Sequence, residues 1–76
     1  MITIDQELDT SGLMCPLPLL RLKKTLQLMG SGQTVRVRAT DPASVLDFGV
    51  YLEQAGHDLV EYAEETGAHL FLIRKG

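Results

Sequence analysis

The sequence predicts a two-layer α/β sandwich: a four-stranded mixed sheet with two helices packed on one face, in the order β-α-β-α-β-β. Three observations carry this. Stretches with apolar residues at every second position alternate with stretches whose apolar residues recur every three or four. Gly- and Pro-rich clusters punctuate each change of period. The last two strand-like stretches are separated only by a short turn, so they must pair antiparallel, whereas the strand–helix–strand units before them favour right-handed crossovers and parallel pairing. At 76 residues there is room for one core, so residues 1–76 form a single domain.

Residues 2–9 read as a strand, with Ile2, Ile4 and Leu8 on one face and Thr3, Asp5, Glu7 and Asp9 on the other. Thr10-Ser11-Gly12 marks a turn. A first helix is expected from Pro16 to Met29, where Leu19, Leu22, Leu26 and Met29 form one core-facing stripe. Leu17 and Leu28 project from the opposite side, beside Arg21 and Lys24, and Gly30-Ser31-Gly32 stops the helix. Residues 33–40 are the clearest strand: Val35, Val37 and Ala39 face inward, and Thr34, Arg36, Arg38 and Thr40 face water. Asp41 as N-cap and Pro42 at the first helical position open a second helix. Its expected stripe is Val45, Phe48, Gly49, Leu52 and Ala55, with Gly49 explained by close packing on the sheet, and Gly56 ends it. Residues 58–63 and 69–75 form two strands around Glu65-Thr66-Gly67-Ala68.

Composition excludes several classes. No apolar run approaches the roughly 20 residues of a membrane span, and a net charge of −3 argues against binding nucleic acid with the whole surface. Met1-Ile2-Thr3-Ile4-Asp5 has no basic or hydrophobic leader region, so with a single thiol the cytoplasm is the expected compartment. Charge is unevenly spread. No acid occurs between Asp9 and Asp41, and that interval holds Arg21, Lys23, Lys24, Arg36 and Arg38. It reads either as a solvated surface or as a patch that steers an acidic partner.

The interval also contains Cys15, the only cysteine. A lone thiol makes no internal disulfide, and one Cys with two scattered His makes no metal site. No cofactor motif occurs. If Cys15 is the N-cap of the first helix, the free amides and macrodipole there should lower its pKa, with the Leu17 amide as the one donor that prolines at 16 and 18 leave. The prolines would hold the sulfur in one exposed direction. Hydrolysis or acyl transfer would call for a histidine base, and neither His57 nor His69 is placed beside the thiol by its sequence position. Thiol–disulfide or sulfur exchange with another protein needs no proton relay, and so suits this residue.

The stretch Leu8-Asp9-Thr10-Ser11-Gly12-Leu13-Met14-Cys15-Pro16-Leu17-Pro18 resembles the signature of the TusA (SirA-like) sulfur carrier family, with its Cys-Pro-x-Pro motif. Thr40-Asp41-Pro42, Asp47-Phe48, Ala55-Gly56-His57 and Phe71-Leu72-Ile73-Arg74-Lys75 extend the likeness over the whole chain. The resemblance implies the same two-layer fold. It implies that Cys15, supported by Gly12, Pro16 and Pro18, accepts sulfane sulfur as a persulfide from a cysteine desulfurase or rhodanese-type donor and passes it to a cysteine on an acceptor protein. Family members serve tRNA 2-thiouridine synthesis, molybdenum-cofactor sulfur supply or dissimilatory sulfur oxidation. With no second cysteine and no membrane segment, this chain resembles the stand-alone relay form, expected to work as a monomer without a cofactor. The alternative is a non-catalytic adaptor or regulatory protein that binds partners through Leu17, Arg21 and Lys24, with Cys15 incidental.

Overall fold

The computed structural model describes residues 3–76. The element order is β1 (Gln6–Thr10), α1 (Leu17–Gln27), β2 (Thr34–Ala39), α2 (Ser44–Ala55), β3 (Asp58–Glu65) and β4 (Ala68–Arg74). The sheet is mixed and ordered β1-β2-β4-β3, with β1 parallel to β2 and both other pairings antiparallel. The expected β-α-β-α-β-β sandwich is therefore the observed one.

Register explains the core. Val35, Val37 and Ala39 pair with Ile73, Phe71 and His69, which places those side chains on the helix-covered face. Leu22, Leu26 and Met29 of the α1 side and Phe48 and Leu52 of α2 close over them, with Leu8, Leu19 and Tyr51 packed at the margin. Phe48 and Phe71 meet with ring centroids 4.7 Å apart in a tilted arrangement, a favoured geometry for aromatic pairs. The intervening residues Arg36, Arg38, Leu70 and Leu72 line the uncovered face. There Arg36 pairs with Glu7, and Arg38 reaches Glu65 at 3.4 Å. The basic interval is thus divided between two layers, and its sheet half is neutralised.

Several boundaries differ from expectation. β1 is shorter than residues 2–9, because its partner among the described residues, β2, begins at Thr34. Ile2 lies outside the described residues, and Ile4 precedes the strand and is exposed. Thr34, expected to face water, is buried, and its hydroxyl donates to the Thr3 carbonyl. Pro16 and Ala43 occupy the N-cap positions assigned to Cys15 and Asp41. In α2 the row facing the sheet is Ser44–Phe48–Leu52, so Val45, Gly49 and Ala55 are exposed. A Cβ on Gly49 would meet open space, so close packing does not explain this glycine.

Local chemistry ends the elements. Gly56 adopts a left-handed conformation (φ 78°) that stops α2, with the His57 amide donating to the Leu52 carbonyl. The ammonium of Lys75 donates to the Leu26 carbonyl at 2.5 Å, which places a cation at the C-terminal end of α1. In the β3–β4 hairpin Glu65 pairs with Ala68.

Candidate functional site

β1 ends in a tight turn that carries the chain to Cys15. The Ser11 hydroxyl and amide both donate to the Asp9 carboxylate, which holds the Asp9 pKa below its usual range. Gly12 follows with φ 80°, a conformation that suits glycine, and its amide donates to the Thr40 hydroxyl at 2.9 Å. The Leu13 amide donates back to the Thr10 carbonyl. This ties the loop before the cysteine to the end of β2.

Cys15 is exposed and stands one residue before the α1 N-cap. The Cys15–Pro16 peptide is cis. Pro18 lies in the first helical turn and is buried, anchoring the helix start. The Leu17 amide donates to the Met14 carbonyl at 2.9 Å and is therefore not the donor to sulfur that the sequence led us to expect.

Carboxylates surround the thiol instead. The Cys15 amide donates to Asp41 Oδ2 at 2.6 Å, and the Cys15 thiol donates to Asp47 Oδ2 at 3.3 Å. The Cys15 pKa is consequently raised, against the expected lowering. The hydrogen bond to Asp47 is the largest cause because it requires the S–H proton, followed by loss of water and by the negative charges of Asp47 and Asp41. The segment is basic along the sequence, but folding brings two acids from the start of the second helical region to the sulfur.

Asp41 is the hub of this arrangement. It is buried, its second oxygen accepts the Ala43 amide at 3.1 Å, and its carbonyl accepts the Ser44 amide. One carboxylate thus joins the cysteine loop to the entry of α2. Asp41→Ala removes the acceptor from two partly buried amides and is expected to destabilise the fold by about 2–4 kcal/mol, read as a lower urea midpoint. Asp41→Asn, which keeps an oxygen acceptor, is expected to lose less.

Neither histidine serves the thiol. His57 Nδ1 accepts the Gly76 amide at 3.0 Å, and His69 Nδ1 pairs with the Tyr62 hydroxyl at 2.7 Å. No group of three or more potential metal ligands occurs among the described residues, and no helix there is long and apolar enough to cross a membrane.

The outer surface of the helical layer is more apolar than the sequence stripe indicated. Leu17 is exposed as expected, but so are Met14 (65%) and Leu20 (52%) on the α1 side, and Leu46 (71%) and Val50 on α2. Leu17, Leu20, Arg21 and Lys24 share one outward helical face, since they recur at steps of three and four. Arg21 and Lys24 form no ion pair among the described residues, whereas Lys23 sits 5.1 Å over the Tyr51 ring. Asp47, Met14 and Leu20 are the site residues missed by sequence reasoning. A weak signal existed in Leu20, which sits with Leu17 on the outward face that also carries Arg21 and Lys24.

The family model described as sulfurtransferase TusA matches residues 6–75. The chain is 57% identical over 75 residues to the sulfur carrier protein TusA of Allochromatium vinosum, covering 99% of each. It is 40% identical over 72 residues to a putative sulfur carrier protein of Bacillus subtilis, covering 95% of this chain and 96% of the other. Among solved structures, the SirA-like protein from Desulfitobacterium hafniense superposes with a TM-score of 0.80 at 29% identity, over 93% of this chain and 97% of that one. The chain belongs to the sulfurtransferase TusA family.

Proposed function

We propose that this protein is a sulfur carrier that holds sulfane sulfur as a persulfide on Cys15 and relays it between two proteins. The observation that supports it most is a solitary, exposed thiol served, among the described residues, by neither a histidine nor a metal-ligand cluster. Such a thiol is poorly equipped for hydrolysis and well suited to exchange between sulfurs. In the loading step a donor persulfide R–S–SH meets Cys15–SH. The Cys15 sulfur bonds to the terminal sulfur, the donor S–S bond breaks, and the Cys15 proton ends on the donor sulfur, giving R–SH and Cys15–S–SH. Delivery repeats the exchange with a cysteine of the acceptor, so no external oxidant or reductant is consumed.

The donor is a cysteine desulfurase or a rhodanese-type protein, and the destination is tRNA 2-thiouridine synthesis or dissimilatory sulfur metabolism. The cytoplasm, where thiols stay reduced, suits this chemistry. An exposed sulfur on a domain this small is compatible with action as a monomer. Gly12, Pro16 and Pro18 set the path of the chain into and out of Cys15, and Leu17, Arg21 and Lys24 dock the partner. Incubation with a desulfurase and cysteine, or with a rhodanese and thiosulfate, followed by intact mass measurement tests the reading. The carrier gains one sulfur atom that reduction removes. A protein that gains none and still binds the donor is an adaptor.

The outward face of α1 also predicts an effect of charge. Arg21→Glu combined with Lys24→Glu is expected to slow sulfur transfer about tenfold or more at low salt, with the difference shrinking as salt rises. Transfer rates that match those of the unsubstituted protein at every ionic strength would reduce these residues to solubilising surface.

A further inference from the structure

We propose that Asp47 gates Cys15: its carboxylate holds the thiol proton in the free carrier, and a cationic group beside the donor's reactive sulfur draws that carboxylate away at docking. The inference rests on the carrier reading of Cys15 and adds to it the means by which the sulfur is kept quiet between partners.

Geometry separates the roles of the two acids. Asp41 is buried, and both its carboxylate oxygens are already committed, one to the Cys15 amide and one to the Ala43 amide. It is a fixture. Asp47 is half-buried, contacts the sulfur through Oδ2 alone, and forms no ion pair among the described residues. Its other oxygen accepts no hydrogen bond among the described residues and is not a buried atom, so it can meet an incoming cation. It also stands in the first turn of α2, on a rigid element, so its approach to sulfur follows from the fold and not from loop chance.

The charges facing the thiol are Asp47 from α2 and Asp41 from the preceding loop, both negative, and they raise its pKa together with the S–H hydrogen bond and loss of water. Since exchange is carried out by the thiolate, the free protein is a slow nucleophile. A lysine or arginine that pairs with Asp47 removes the acceptor of the S–H bond and cancels one negative charge at the same time. The two carboxylates at the sulfur and the cationic face of Arg21 and Lys24 on α1 therefore call for a donor with positive charge at its reactive cysteine and acidic residues further out.

Alkylation by iodoacetamide across pH measures the gate without any sulfur donor. Asp47→Asn, close in shape but uncharged, is expected to move the rise in alkylation to lower pH and speed the reaction near neutrality on the order of tenfold, one unit of pKa being a factor of ten. Asp47→Ala, which also removes the acceptor, provides a second test should Asn retain part of the hydrogen bond. An alkylation profile that stays in place in both variants overturns the gate. Release by a cation is read from exchange with two small disulfides, dicationic cystamine and dianionic dithiodiglycolate. In each, Cys15–SH and the S–S bond become a mixed disulfide and a free small thiol. Cystamine is expected to react faster, with an advantage that shrinks in Asp47→Asn and persists in Asp58→Asn, a carboxylate beyond the far end of α2. A ratio that Asp47→Asn leaves unchanged overturns the cationic trigger. These measurements do not involve persulfide, so a failure of wild-type protein to load sulfur counts against the carrier reading alone.

Discussion

Cys15→Ser is expected to abolish sulfur loading completely while leaving the fold and donor binding in place. A hydroxyl cannot carry sulfane sulfur through exchange, because the reaction needs a sulfur nucleophile that becomes one end of a new S–S bond. The structural cost is small. Cys15 is exposed, its amide bond to Asp41 is a backbone interaction that survives, and a serine hydroxyl can still donate to Asp47. Surface substitutions of this kind usually change stability by less than about 0.5 kcal/mol. The variant should therefore unfold at the wild-type urea concentration and gain no mass with a desulfurase and cysteine. Added to a loading reaction of the wild-type protein, it should compete for the donor. Sulfur gained by Cys15→Ser would move the carrier function away from this residue.

Phe48→Ala is expected to have the largest effect on stability. Phe48 is fully buried, packs against the Phe71 ring in a tilted arrangement and stands at the centre of the row by which α2 meets the sheet. Truncating a buried Phe to Ala costs about 3–5 kcal/mol, through lost transfer energy and the cavity left behind. At roughly 0.05–0.15 kcal/mol per residue, a chain of 76 residues has only about 4–11 kcal/mol to lose. The variant should be largely unfolded under mild denaturant, whereas Leu28→Ala, at an outward position that is 82% exposed, should match the wild type. Circular dichroism during urea titration separates the two. Equal midpoints would mean that α2 does not depend on this contact. Phe48 also adjoins Asp47, so loosening α2 is expected to free the thiol and raise its alkylation rate at neutral pH.

Much of the architecture was legible in the sequence because it depends on short-range periodicity. The alternation Val35-Arg36-Val37-Arg38-Ala39 has one arrangement that buries apolar groups and wets charged ones, and the structure adopts it. Leu22, Leu26 and Met29 likewise leave little freedom in how α1 is rotated. In α2 the apolar residues spread more evenly around the helix, since Val45, Leu46, Phe48, Val50 and Leu52 do not define one narrow face. Packing against Phe71 then selected the Ser44–Phe48–Leu52 row and left Val45, Leu46 and Val50 at the surface. Asp41 followed by proline is a strong helix-start pattern, yet its carboxylate accepts the Cys15 amide from across the molecule, and the helix proper begins later.

Periodicity along the chain dictates the order of strands and helices and the make-up of the core, and it singles out Cys15 as the candidate for chemistry. Each follows from neighbours within a turn or two along the chain. Long-range contacts put β4 between β2 and β3, paired Arg36 and Arg38 on the open face, and brought Asp41 and Asp47 to the sulfur. The electrostatics of Cys15 reversed for that reason. Local reasoning counts the helix start and nearby basic residues, but a pKa responds to charges and hydrogen bonds within a few ångströms in space, and here those come from residues 26 and 32 positions away.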